Sequence, residues 1–410
     1  EYKGAPYLFT ETSMPAPLRE NLQQLTDSWL MQVVDGIAAN RKKDAAVVRR
    51  WVDNAPWSAA AAKQEGMVDE LQYWDQAAAT TYGVLGEDAS VDVADYAAQI
   101  PDLSATAPRI ALIRGNGPVI LGDSETDPFG SAGNLGSDTI VKAFSDAIGD
   151  RVRAIVFRID SPGGSYVAAD AIWREVARAR ELGIPVIASF GWQAASGGYF
   201  VAAPATKIVA QPGTITGSIG VFAGKPVLTE LWANLNIHFE GVQAGAAAGT
   251  NSVNRDYAPE EWARLEKRLD EIYADFTGKV AQGRKLAPEK GEESPKGQIW
   301  SGADAKARGL VDELGGLAMA IRLAKQETKL AQETAITLVT YPSEEERWES
   351  FIGEFMGGGA ATSISTRGLS DRAAVVPGGQ ELGRALQPLI AQPDEVLLWA
   401  PPLSVNGRID

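Results

Sequence analysis

The feature that most limits what this chain can fold into is an internal repeat. Trp57–Leu71, WSAAAAKQEGMVDEL, recurs as Trp300–Leu314, WSGADAKARGLVDEL, with ten of fifteen positions identical. The same offset of 243 residues aligns Arg41 with Arg284 and superposes two helical stretches, Leu18–Asn40 and Glu261–Gly283. A match of this length, with its upstream helix in register, implies two copies of one structural unit. The copies are unequal: the second has an α/β series upstream of its helix, beginning near Arg109, whereas the first begins at Glu1. The expectation is therefore a first copy lacking its strand-rich front half. A chain of 410 residues exceeds one ordinary core. The repeat divides it into residues 1–100 (the end of the first copy plus a linker), 101–345 (the complete second copy) and 346–410 (a flexible segment and tail).

The second copy reads as strands alternating with helices. Ile110–Ile120 is an apolar strand, Asp138–Ile148 an amphipathic helix, and Ala154–Ile159 a buried strand. Helix Val167–Leu182, strand Pro185–Phe190 and a short helix around Ser196–Ala203 follow. Strands Lys207–Gln211 and Ser218–Phe222, helix Leu228–Leu235 and strand Ile237–Val242 come next. Past the repeat lie helix Leu317–Glu327 and strand Ala335–Tyr341. This order predicts stacked βαβ units and a mainly parallel sheet, an α/β fold. Glu344–Glu349 and the Gly/Ser/Thr-rich Gly357–Gly368 read as a surface segment, and Val396–Leu403 as a short final strand.

Composition narrows the chemistry. The net charge of −15 opposes a nucleic-acid surface and broad adhesion to anionic lipid, both of which need clustered Lys and Arg. With no cysteine, disulfides, thiolate catalysis, Cys-ligated zinc and iron–sulfur clusters are excluded together. The single histidine, His238, makes a multi-histidine metal site impossible and is the only residue a Ser-His-Asp triad could use. Placed inside the expected strand Ile237–Val242, it reads as a structural histidine far from the glycine turns. No apolar run reaches the ~20 residues that span a bilayer, and Glu1-Tyr2-Lys3-Gly4 does not resemble a signal sequence. The expectation is a soluble chain whose membrane anchor, if it has one, precedes Glu1.

Two glycine turns carry the candidate chemistry. Asp160-Ser161-Pro162-Gly163-Gly164-Ser165 sits where a buried strand meets a helix. Consecutive glycines let backbone N–H groups turn outward beside a helix N-terminus, as an oxyanion hole requires. The same glycines also suit a plain strand-to-helix turn. Gln193-Ala194-Ala195-Ser196-Gly197-Gly198-Tyr199-Phe200 again follows a buried strand, and its small neighbours leave the serine approachable. Alone, Ser196 reads equally as an N-cap. Together the turns place a serine and an anion-binding pocket at the same end of neighbouring strands. With histidine demoted, a desolvated lysine is the remaining common base. Residue types do not say which lysine.

Ser161-Pro162-Gly163-Gly164-Ser165, Ala194-Ala195-Ser196-Gly197-Gly198-Tyr199 and Thr216-Gly217-Ser218-Ile219-Gly220 are similar, in order and spacing, to the signature of SppA-type signal peptide peptidases. The resemblance is strong over Arg109–Leu330, moderate over Glu1–Trp74 and weak beyond Tyr341. It implies a ClpP/crotonase-like spiral of ββα units and a Ser/Lys serine protease. In the long, tandem-repeat bacterial form the first repeat gives the lysine and the second the serine. The lysine's Tyr-Lys context is met here by Tyr2-Lys3, and the repeat offset sets Ala246 opposite Lys3. By resemblance, Ser196 is the nucleophile, Lys3 the general base and Ser218 the group that orients the lysine. Gly163 and Gly164 line the oxyanion hole.

The demand on Lys3 is definite. At a pKa of ~10.4 a lysine is about 0.1% neutral near pH 7.5, whereas at ~8 about a quarter is competent. That shift corresponds to roughly 3 kcal/mol and requires an apolar wall. No metal or cofactor is implied, and no G-x-x-x-x-G-K-[ST] loop suggests ATP coupling. Family membership further implies short hydrophobic peptides, chiefly signal peptides, as substrates. It also implies a homo-oligomer, typically a tetramer, on the outer, periplasmic face of the bacterial cytoplasmic membrane, with no nucleic-acid partner. Two other readings share the fold: an acyl-CoA hydratase or isomerase, and a non-catalytic subunit acting in assembly or binding.

Overall fold

The computed structural model describes residues 2–85, 91–99, 106–124, 133–286, 296–343 and 397–399. Packing divides the chain into two units, residues 1–26 with 108–410, and residues 27–107. The helices in chain order are α1 (Tyr7–Thr10), α2 (Ala16–Arg41), α3 (Ala45–Asp53), α4 (Ala59–Glu65), α5 (Trp74–Leu85), α6 (Val93–Ala98), α7 (Ser137–Gly149), α8 (Tyr166–Glu181), α9 (Gly197–Phe200), α10 (Thr229–Asn234), α11 (Pro259–Arg284), α12 (Gly302–Ala307) and α13 (Leu317–Glu327). The strands are β1 (Arg109–Asn116), β2 (Val119–Ile120), β3 (Leu135–Gly136), β4 (Ala154–Ser161), β5 (Gly163–Ser165), β6 (Val186–Ala195), β7 (Lys207–Ala210), β8 (Ile215–Gly217), β9 (Ile299–Ser301), β10 (Glu313–Leu314), β11 (Thr337–Tyr341) and β12 (Leu397–Trp399).

In the larger unit the main sheet runs β10-β7-β6-β4-β1-β11, all parallel, with β8 joining β6 and β9 antiparallel to β8. A second sheet holds β12-β5-β2-β3. Each main-sheet strand β1 and β4 is followed by a short strand in the second sheet and then by a helix. That is the ββα spiral the motifs imply, and the α/β class is the one observed. The strands alternate as a sheet covered on both faces must. Ile110, Leu112, Ala154 and Val156 pack under Ala320, Leu323 and Ala324 of α13. Ala111, Ile113, Ile155, Phe157 and Ile159 face the larger core with α7, α8 and Phe276 of α11.

Four expected elements differ from the observed ones. The apolar run Ile110–Ile120 is two strands in two sheets. They are broken at Gly117, whose φ of +82° and N–H bond to Asp160 O turn the chain. A side chain there would meet Gly133 O at 1.9 Å. The glycines expected to form only a turn, Gly163 and Gly164, belong to strand β5. The strand expected at Ser218–Phe222 ends one residue before it begins. Ser218 takes a φ of 51° and donates its N–H to Gln298 O, leaving the ladder. Residues 237–242 form no strand, and His238 stands exposed in that segment. Of the expected tail 346–410 only β12 is described. It runs antiparallel to β5, pairing Leu398 with Gly164 and Trp399 with Gly163.

The smaller unit is helical among its described residues. Its core gathers Val34, Val48 and Trp51, with Leu30, Trp57 and Met67 against them. Its contacts recur in the larger unit at the repeat offset. Helices α2 and α11 have 26 residues each and begin and end 243 apart. Lys42 and Lys285 follow them, both with φ 52°. Arg41 pairs with Asp69 as Arg284 pairs with Asp312, and Lys63 with Glu70 as Lys306 with Glu313. Ser58 caps α4 as Ser301 caps α12. Burial does not follow. Val33 is 51% exposed while Phe276, at the same repeat position, is fully buried. Ile37 and Val68 are likewise exposed where Val280 and Val311 are core.

Phe276→Ala is therefore expected to destabilise by about 3–5 kcal/mol in urea unfolding, the cost of a core cavity. Val33→Ala should stay within about 0.5 kcal/mol. Equal losses would mean that the two copies bury the same face.

Candidate active site

The register of two strands creates the site. β6 and β8 are parallel, pairing Ala194 with Thr216 and Ala195 with Gly217, so the next residue of each strand is a serine beside a serine. Both leave the ladder in the left-handed region that L side chains rarely adopt, Ser196 at φ 56° and Ser218 at φ 51°. Ser196 is held there by its N–H to Gly217 O, at 2.8 Å, and by its carbonyl, which accepts from the N–H groups of Tyr199 and Phe200 of α9. Both serines are fully buried.

Lysine arrives from far along the chain. The Tyr2 N–H donates to Lys296 O at 2.7 Å and carries Lys3 into the same space. Lys3 Nζ lies 2.6 Å from Ser196 Oγ and 3.1 Å from Ser218 Oγ. Lys3 is only 7% exposed, and burial holds its amine well below the ordinary lysine value. The structure thus brings Ser196, Lys3 and Ser218 together.

Gly163 and Gly164 lie beside them through the β4–β6 pairing of Ser161 with Ala194. Gly163, at φ 102°, donates its N–H to Ser161 Oγ at 3.2 Å. A side chain on Gly198 would meet Ser161 O at 2.7 Å, so the two glycine turns touch. Between them stands Asp160, whose carboxylate accepts from the backbone N–H groups of Trp192 and Gln193. Burial raises its carboxyl above the usual carboxylate value, and those two N–H groups and nearby Arg158 oppose the rise. Among the described residues no three acidic or histidine side chains converge as a metal site requires.

Two residues that complete the site carry no local signature. Gly297, at φ +87°, leaves room for Lys3, because a side chain there would fall 2.8 Å from Lys3 Cγ. Asn21 of α2 brackets the buried backbone of Ile299, donating to its carbonyl at 2.8 Å and accepting from its N–H at 2.9 Å. It thereby ties the segment that carries Lys3 to β9. A buried asparagine in a helix can be read from periodicity; its partner 278 residues away cannot.

The description of peptidase family S49 matches residues 1–83 and 178–331. The chain is 38% identical over 239 residues to Protease 4 of Salmonella typhi, covering 58% of this chain and 37% of that protein. It is 30% identical over 393 residues to the chloroplastic serine protease SPPA of Arabidopsis thaliana, covering 93% of this chain and 57% of that protein. The chain thus spans between about a third and three-fifths of these relatives' lengths. Among solved structures it aligns with a variant of 1510-N, a membrane-bound stomatin-specific protease, in complex with a substrate peptide. That alignment has a TM-score of 0.37 at 16% identity, over 61% of this chain and 99% of the other.

Burial of Lys3 has a consequence for stability. The fold disfavours the ammonium, so the unfolded chain binds more protons between the depressed pKa and about 10.4. Stability relative to Lys3→Met should rise with pH across that window, by up to about 1.4 kcal/mol per unit, with the full penalty below it. Urea unfolding over a pH series measures this. A difference independent of pH would mean that the buried lysine keeps its proton.

Proposed function

The chain belongs to peptidase family S49, and on that premise we propose that it is a serine endopeptidase using a Ser/Lys dyad. The observation that carries the reading is the buried contact of Lys3 Nζ with Ser196 Oγ at 2.6 Å. A lysine serves as a base only when neutral, and burial shifts Lys3 toward that form. In this reading Lys3 takes the Ser196 proton as the Oγ attacks a peptide carbonyl. The ammonium so formed returns the proton to the leaving amine, and water repeats the cycle on the acyl-serine. Ser218 Oγ accepts from Lys3 and aims the amine at Ser196.

Gly163 and Gly164 are the proposed oxyanion donors, with the first-turn N–H groups of α9 beside them. The Gly163 N–H now donates to Ser161 Oγ and would exchange that acceptor for the oxyanion as it forms. Proposed substrates are short hydrophobic peptides, cleaved signal peptides above all. The proposed setting is the periplasmic face of the bacterial cytoplasmic membrane, in a homo-oligomer and with no nucleic-acid partner for a chain of this acidity.

No described helix is long and apolar enough to cross a membrane. The proposed organisation remains that of the repeat: residues 1–100 end the first copy and bring the lysine, and residues 101–345 form the second and bring the serine. The exposed apolar positions Val33, Ile37 and Val68 support it, because their counterparts in the second copy are core.

A serine-reactive phosphonate with a small apolar side chain tests the dyad across pH 6 to 10. Labelling of Ser196 should rise with pH at a midpoint well below 10, and Lys3→Ala should slow it by about 10²–10⁴-fold. Ser218→Ala, which leaves the amine present but unguided, should slow it by about tenfold or more. Labelling of Ser196 that survives Lys3→Ala unchanged would assign the base elsewhere and sink the proposal.

A further inference from the structure

The Ser/Lys reading leaves Asp160 without a task, yet its carboxylate sits at the one irregularity in the strand that ends at Ser196. Between the pairs Ile159–Phe190 and Ser161–Ala194, β4 advances two residues while β6 advances four. Gly191, Trp192 and Gln193 therefore have no regular partners on β4. Such a bulge redirects a strand, and here the redirection is visible. Before it β6 pairs with β7 through Ile187–Ser189; after it β6 pairs with β8 through Gln193–Ala195. That second pairing sets Ser196 beside Ser218.

Side chains hold the bulge from both neighbours. Asp160 Oδ2 accepts from Trp192 N at 3.2 Å and Oδ1 from Gln193 N at 3.3 Å. Arg158 binds Ser189 Oγ and Phe190 O, and Thr214 Oγ1 donates to Gly191 O at 2.8 Å. Gly191 reports how specific the arrangement is. It lacks a positive φ, so its backbone does not demand glycine. A Cβ there would fall 2.1 Å from Asp160 Oδ2 and 2.5 Å from Cγ, so the missing side chain is the space the carboxylate fills. Asp160 is also continuous with the other turn: one residue on, the backbone enters Ser161–Gly164, and Asp160 O accepts from Gly117 N.

We infer that Asp160 is a positioning residue of the dyad. Its carboxylate clamps the β6 bulge through two backbone N–H groups and so fixes Ser196 in register with Lys3 and with the Gly163 turn. The inference rests on the Ser/Lys reading for its catalytic consequence, but the clamp itself is a structural claim. The two amides bond to different carboxylate oxygens, so an asparagine keeps one acceptor and loses the other, and an alanine keeps none. An alanine at position 191 expels the carboxylate without touching it chemically.

The test compares the full chain with Asp160→Asn, Asp160→Ala and Gly191→Ala. It reads kcat and KM on an apolar peptide ester, and hydrogen exchange over residues 190–198. Asp160→Ala and Gly191→Ala should each lower kcat by about 10²-fold with KM within about twofold, the signature of a misplaced nucleophile. Exchange should quicken at residues 191–197 while β1 and β4 stay protected, and Asp160→Asn, which keeps one of the two acceptors, should fall between the parent and Asp160→Ala in both. The double variant Asp160→Ala, Gly191→Ala should lose less than the product of the two single losses, since both remove one contact. Unchanged kcat in Asp160→Ala, or exchange rising equally through β1 and β4, would overturn the inference. If the parent chain itself shows no turnover and no labelling at Ser196, the Ser/Lys reading fails. The exchange pattern then decides the clamp alone.

Discussion

The constraint on which the site depends is the burial of one amine, that of Lys3. A charged lysine taken out of water forfeits several kcal/mol of solvation, and hydrogen bonds to hydroxyls, about 1.5–3 kcal/mol each for a charged donor, offset only part of that loss. Burial therefore holds the Lys3 amine well below the ordinary lysine value, and the cost of that burial explains why the site is built from so many backbone constraints. Lys3 stays in place because Tyr2 is tied to Lys296, Asn21 brackets Ile299, and Gly297 leaves room for the side chain. Remove any of these and the chain has a less costly option, which is to return the amine to water.

The repeat keeps one local scaffold in two copies that differ in chemistry and burial. Of the paired contacts kept at offset 243, Arg41–Asp69, Lys63–Glu70 and Lys306–Glu313 are partly exposed, whereas Arg284–Asp312 is largely buried. Exposed pairs are individually worth little, so the set marks a shared local geometry rather than a shared source of stability. What differs is chemistry and burial. Lys3 stands opposite Ala246, and exposed Val33 opposite buried Phe276.

Much of the larger unit was legible because its strands and helices have different periods. The alternation along β1 and β4, and the match of α2 to α11, follow from apolar spacing alone. The failures fall where a backbone leaves its period: at Gly117, at Ser218 and at residues 237–242. Hydrophobicity does not encode where a strand ends; a hydrogen bond to a distant partner does. Of the site, Ser196, Ser218 and the glycines announced themselves as motifs, and Lys3 only through resemblance. Asn21, Gly297 and Asp160 act through residues 32 to 294 positions away. No window of sequence contains both partners.

Strain at the two serines explains why the sheet must be so rigid there. Two adjacent non-glycine residues in the left-handed region cost on the order of 1–3 kcal/mol each, and neither would persist in a loop. Here each follows directly on a buried strand. Ser196 N is fixed on Gly217 O and Ser218 N on Gln298 O, so relaxing one serine would break the ladder that positions the other. The strain is thereby shared across the β6–β8–β9 corner rather than stored at one residue. On the Ser/Lys reading, a serine set in this way has little freedom to adjust to a substrate. The adjustment would then have to come from the peptide, which must reach an oxygen already aimed.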